Sequence, residues 1–309
     1  MKKALLLLLA LTFLLVIFIF FQKTSSSKSA QNPEVIVSTF SQYDIVKHLV
    51  DDEIELKMLI PFGQDIHSFE PTPKDMISIS KSALFIYSGA GLEPWIKGTY
   101  LAKNTLDLST SVHLRSLEES CEHDHDEHHH HEENEFDPHY WLDIDNMISS
   151  ALGIKIELLK IKEINKEKLE ANYLSYIGSL EALKTKYAQK LQSCANPVLV
   201  LNHNAFSYIA AKYNFTIESI SGLSSDAMPS AKTLVHINEV VKEHNVSTIF
   251  YERFVSDKVM QSISAQSGAK VSFLQALANI TADDAQAQKS YVMFMEENLE
   301  KISEAMQCR

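Results

Sequence analysis

From Val35 onward, short apolar runs alternate with longer stretches in which apolar residues recur every three or four positions. Val35-Ile36-Val37-Ser38-Thr39-Phe40 predicts a first strand. Leu56 to Ile60 predicts a second, stopped by Pro61 and Gly63, and Leu84 to Tyr87 a third, buried one. Between them Tyr43 to Val50 has helical spacing. Pro73 opens a helix that runs to Lys81, since proline is favoured in a first helical turn. Strands alternating with helices imply a parallel sheet with helical crossovers.

From Asn146 to Gln192 there is no proline, and the apolar positions keep helical spacing. Leu169, Tyr173, Leu174, Ile177, Leu180, Leu183, Tyr187 and Leu191 form one predicted stripe, with Asn165 as the cap. Such a helix would be about 40 Å long at about 1.5 Å per residue, enough to join two lobes as a stiff strut. A second alternating unit follows. Pro197 to Leu201, Thr216 to Ile220, Ser247 to Tyr251 and Lys270 to Leu274 read as strands. Ala205 to Tyr213, Ser230 to His244, Ser256 to Gln266 and Ser290 to Met306 read as helices. The expected fold class is α/β: two Rossmann-like lobes with parallel sheets, joined by one long helix, with a cleft between them. The expected boundaries are 33–164, 165–193 and 194–309, and no close sequence repeat relates the lobes.

Residues 1–30 break this pattern. Lys2 and Lys3 precede an apolar run from Ala4 to Phe21, broken only by Thr12, and a small polar segment from Thr24 to Ala30. This reads as an export signal, cleavable after Ser29, with an uncleaved membrane anchor as the alternative. No Cys follows the run, which argues against a lipid anchor.

Charge changes the picture in one place. The formal net charge of the 309-residue chain is -12, and ten acids with no Lys or Arg lie between Glu118 and Asp137. An acidic chain is a poor partner for nucleic acid. The same stretch holds His123, His125, His128, His129, His130 and His131, so 113–137 is expected to be an acidic, His-rich loop of low complexity. Cys121, Cys194 and Cys308 are the only cysteines. In an oxidising compartment two of them can pair. Cys194, before the first strand of the second lobe, and Cys308, at the end of the last helix, are the expected couple, with Cys121 as an alternative.

Three histidines share a context outside that loop. His67 follows the second strand, His139 follows the acidic stretch, and His203 ends the strand Val198 to Asn202. Ligands of parallel α/β sheets bind at the carboxyl ends of strands, so two histidines from one lobe and one from the other can meet in the cleft. Neutral imidazoles suit Zn²⁺, and three of them leave one coordination position open. A lone histidine at a strand end is usually a hydrogen-bonded structural residue, three in one chain strengthen the metal reading, and the spacing is no compact zinc motif. A hydrolytic zinc site is the competing chemistry, with Glu252 as its candidate base.

Several runs carry a family resemblance in chain order. They are Glu70-Pro71-Thr72-Pro73-Lys74-Asp75-Met76, Gly89-Ala90-Gly91-Leu92-Glu93-Pro94-Trp95, Asp137-Pro138-His139-Tyr140-Trp141-Leu142-Asp143 and Asn202-His203-Asn204-Ala205-Phe206, with a tail around Tyr291 and Asn298-Leu299. They resemble signatures of the periplasmic zinc- and manganese-binding proteins of ABC transporters, over nearly all the chain after Val35. The resemblance implies a monomeric, non-enzymatic carrier that binds Zn²⁺ as cargo and serves a permease and its ATPase in the inner membrane. It implies one tight site at His67, His139 and His203, and weaker sites in the His-rich loop. A surface adhesin, a label given to some relatives, ranks lower. This sequence departs from the pattern twice. Gln275 stands where a carboxylate often supplies a fourth ligand, which leaves that position to water, and Asn204 stands where Asp is usual.

Overall fold

The computed structural model describes residues 32–99, 101, 103–116, 136–221, 230–254 and 256–309. The expected export signal therefore lies outside the described residues. So do Cys121 and the six histidines from His123 to His131.

The first half supplies β1 (Glu34–Val37), α1 (Phe40–Val50), β2 (Glu55–Met58), α2 (Pro73–Lys81), β3 (Leu84–Tyr87), β4 (Thr105–Asp107) and α3 (Ile144–Leu158). The long helix α4 (Lys166–Lys190) follows. The second half supplies β5 (Val198–Leu201), α5 (Ser207–Tyr213), β6 (Thr216–Ser219), α6 (Ala231–Glu243), β7 (Thr248–Glu252), α7 (Lys258–Ser267), β8 (Lys270–Leu274), α8 (Ala282–Gln286) and α9 (Tyr291–Ala305). Two four-stranded sheets result, ordered β2-β1-β3-β4 and β6-β5-β7-β8, and every pairing is parallel. The two halves thus share one strand order although their sequences show no close repeat. β4 escaped the sequence reading because Thr105-Leu106-Asp107 is too short to show a period.

Local chemistry sets the element ends. α1 starts at Phe40 instead of prolonging β1, because the Gln42 side chain accepts the N–H groups of Ser38 and Thr39. Thr72 and Asp75 cap α2 reciprocally, with Pro73 in its first turn. Asn165 caps α4 by accepting from the N–H groups of Glu167 and Lys168.

α4 packs on α1 and α3 of the first half and on α9. Its buried face is Leu169, Tyr176, Leu180, Leu183 and Tyr187, whereas Leu174 is 61% exposed. The predicted stripe is corrected there: adjacent positions 173 and 174 cannot face one side, and Tyr176 takes the inward place, with its hydroxyl on Asp44. At the other end Tyr187 donates to the Met295 carbonyl.

α9, last in the chain, reaches back into the first half. Tyr291 donates its N–H to Asp44 and its hydroxyl to the Trp141 carbonyl, and Phe294 meets Phe40 edge-on. One core accordingly runs through both halves, with a smaller cluster around Val200, Ile237 and Ile249 beneath the second sheet. Residues Pro33 to Arg309 form one compact unit. No helix among the described residues is long and apolar enough to cross a membrane. Cys194 and Cys308 are joined by a disulfide beside a short antiparallel bridge. A second isolated bridge, Ser116 to Phe136, brings together the two ends of the acidic stretch.

Candidate metal centre

Three chain segments deliver the histidines. His67 lies on the irregular loop between β2 and α2, with its N–H bonded to Asp65. His139 precedes a short helical turn, Tyr140–Leu142, that leads into α3, and that turn is buried by Tyr140 and Trp141. His203 stands two residues beyond β5. Their ring nitrogens lie within 4.8 Å of one another, and among the described residues this is the group of side chains with metal-binding geometry. His139 and His203 are buried at 2% and 1% exposure, while His67 is half-buried.

Carboxylates fix two of the rings. Asp137, fully buried, accepts from both the backbone N–H and the Nδ1 of His139, the latter at 2.8 Å. Its other oxygen takes the Ser207 hydroxyl, and its carbonyl takes the Tyr208 hydroxyl from α5. Burial alone would raise the Asp137 pKa. The charge and bonds of His139 and the Ser207 bond outweigh it and hold the carboxyl below its ordinary value. Nδ1 of His203 faces a Glu252 oxygen at 3.1 Å, an ion-pair contact and not an aligned hydrogen bond. Burial opposes charge on His203, but Glu252 first, then Asp137 and Asp65, hold its pKa above the ordinary histidine value. Burial together with charge on His139 and His203 presses His67 down to about 4, so its ring is neutral at pH 7.

An acceptor at Nδ1 places the imidazole proton there and turns the lone pair of Nε2 outward. His139 is held this way, the Glu252 charge beside Nδ1 of His203 favours the same arrangement there, and the two Nε2 atoms face each other at 3.3 Å. Two lone pairs at that distance repel unless a proton or a cation stands between them. A cavity of about 30 Å³ adjoins, lined by the His67 loop, His139, Glu252 to Phe254 and the segment from Gln275 to Asn279. That is room for about one or two small ligands.

Glu252 had been the candidate base of a hydrolytic site, and its role in the structure is different. It orients His203, and its own backbone N–H is fixed by the Asn202 side chain. No local motif announces this partnership, which joins the segments after β5 and at the end of β7. Asn204 stands where Asp is usual in the resembled pattern, and the carboxylate at His203 Nδ1 comes instead from Glu252 on β7. Gln275 lies just past β8, is 1% exposed, and its amide nitrogen has no hydrogen-bond partner. Asn298 grips both sides of its backbone, accepting from the N–H and donating to the carbonyl.

The profile of the zinc-uptake complex component A family, described as periplasmic, matches residues 35–305. The zinc-binding lipoprotein AdcA of Streptococcus pneumoniae is 31% identical over 91% of this chain, and the chain spans 57% of that protein's length. The high-affinity zinc uptake system protein ZnuA of Bacillus subtilis is 30% identical over 92% of this chain and 91% of its own. The Zn(II)-bound ZnuA-like domain of Streptococcus pneumoniae AdcA superposes with a TM-score of 0.74 at 27% identity, covering 89% of this chain and 99% of that domain. With the family profile running from the first strand to the end of α9, the chain belongs to the family of periplasmic zinc-uptake complex A components.

Proposed function

We propose that this protein captures Zn²⁺ outside the cytoplasm and hands it to the permease and ATPase of an ABC uptake system. His67, His139 and His203 hold the ion through ring nitrogens. The observation that carries this reading is the pair of Nε2 atoms facing at 3.3 Å, each ring braced from behind by a carboxylate. Two nitrogens at about 2.0–2.1 Å from a tetrahedral Zn²⁺ stand about 3.3–3.4 Å apart, so the rings match two corners of that coordination. The buried Asp137 and the half-buried Glu252 offset the charge of the ion, and water or Gln275 completes the fourth corner. Glu252, the candidate base, stands against Nδ1 of His203, a placement that supports binding over catalysis. The zinc-uptake names of the relatives support the same cargo. The N-terminal run serves as export signal or anchor, and the tract His123 to His131 gathers zinc weakly beside the tight site.

Zinc should be preferred over manganese. Imidazoles suit Zn²⁺ and Mn²⁺ favours carboxylate oxygens, while the divalent affinity order puts Zn²⁺ well above Mn²⁺ for nitrogen ligands. Equilibrating the purified protein with equal Zn²⁺ and Mn²⁺, then weighing the bound metal by mass spectrometry, should return zinc almost alone. Retention of manganese would overturn both the ligand set and the cargo.

A further inference from the structure

The chain that leaves β8 does not stay with the second sheet. From Ala276 to Ile280 it lies along the first half of the molecule, bonded at five points. The Trp141 indole donates to the Ala276 carbonyl at 2.6 Å, and the Phe40 N–H to Ala278 at 2.9 Å. Gly63 donates its N–H to Ile280 at 2.9 Å. The Asn279 amide nitrogen donates to two carbonyls, Pro61 at 2.7 Å and Gln64 at 2.8 Å. Leu277 adopts a left-handed backbone, φ 60°, which a branched side chain accepts only where its surroundings dictate it.

Asn279 is the centre of this strap. It is 3% exposed, and its amide is fully used: both N–H groups go to the carbonyls, and Oδ1 accepts the Ile280 N–H at 2.8 Å. The two carbonyls it grips are the ends of one tight turn, closed by Gln64 N–H to Pro61 and passing through Gly63 at φ 82°. Three residues after that turn comes His67. The strap also bears on His139, because Trp141 is bonded to Ala276 and its ring stands 5.5 Å from the His139 ring, centre to centre.

His139 and His203 have carboxylates at their rings, whereas His67 sits on an irregular loop, more exposed than either. We infer that Asn279 is a positioning residue for His67: it reaches from the second half to clamp the turn that aims the His67 ring at the other two. Resting as it does on the three-histidine reading, this makes the His67 loop the part of the site whose order depends on a residue 212 positions away in sequence (279 less 67).

A double-mutant cycle on the full protein tests it, with zinc affinity read by competition against a chromophoric chelator. Asn279→Ala should weaken zinc by about tenfold, the lower end of what loss of a supporting group around a metal ligand costs. In a His67→Ala background the same change should alter affinity by less than about twofold, because the ligand it positions is already gone. Equal losses in both backgrounds, or no loss in either, would overturn the inference. A His67→Ala protein that binds zinc as tightly as wild type would instead remove the reading on which it rests. Should Asn279→Ala fail to fold, Asn279→Ser keeps one donor and is read through the same cycle.

Discussion

Replacing His139 or His203 with alanine should weaken tight zinc binding by at least about a hundredfold. Loss of a group that merely supports a ligand costs about 10–100-fold, and these residues are proposed to be ligands themselves. Both rings are buried and preset, so each leaves a gap in the ligand set when it is removed. Each deletion would also leave a carboxylate without its imidazole, the buried Asp137 or the half-buried Glu252. His67→Ala should fall short of that loss, because its ring is half-buried on a loop and water can take its place. Calorimetric titration of the three variants orders them. Wild-type affinity in any one of them would take that histidine out of the site.

The second large effect concerns the link between Cys194 and Cys308, which closes a loop of 114 residues. In the chain-entropy account such a loop adds about 4–5 kcal/mol by restricting the unfolded chain. The folded ends are already held without it, since Asn196 donates to Met306 and Arg309 to Ser193. The expected result is therefore a protein that still folds after Cys194→Ser and Cys308→Ser but unfolds at distinctly lower denaturant. The difference should vanish when both proteins are compared under strong reductant. An unchanged midpoint in the double variant would refute the contribution.

Much of the fold is legible in the sequence because its signals are local. The apolar runs at β1, β3 and β5 are buried strands, and the capping residues Thr72 and Asn165 fall where their chemistry requires. The stripe on α4 was misread at Leu174 because periodicity alone cannot choose between neighbouring phases when Tyr173, Leu174, Tyr176 and Ile177 are all apolar or amphipathic. The three histidines stand out by sitting beyond strands or beside the acidic stretch, and the structure brings their rings together. What sequence cannot display is pairing at long range. Glu252 behind His203, Asn298 gripping Gln275 and Asn279 gripping the turn before His67 each join residues from different elements, with no period or motif to announce them.

The central claim is that one zinc ion sits among His67, His139 and His203. Anomalous diffraction measured on both sides of the zinc absorption edge, from crystals of the zinc-loaded protein, tests it most directly. The account predicts one strong difference peak about 2.0–2.1 Å from a ring nitrogen of each histidine. A strong peak elsewhere, with none among these three rings, would contradict it.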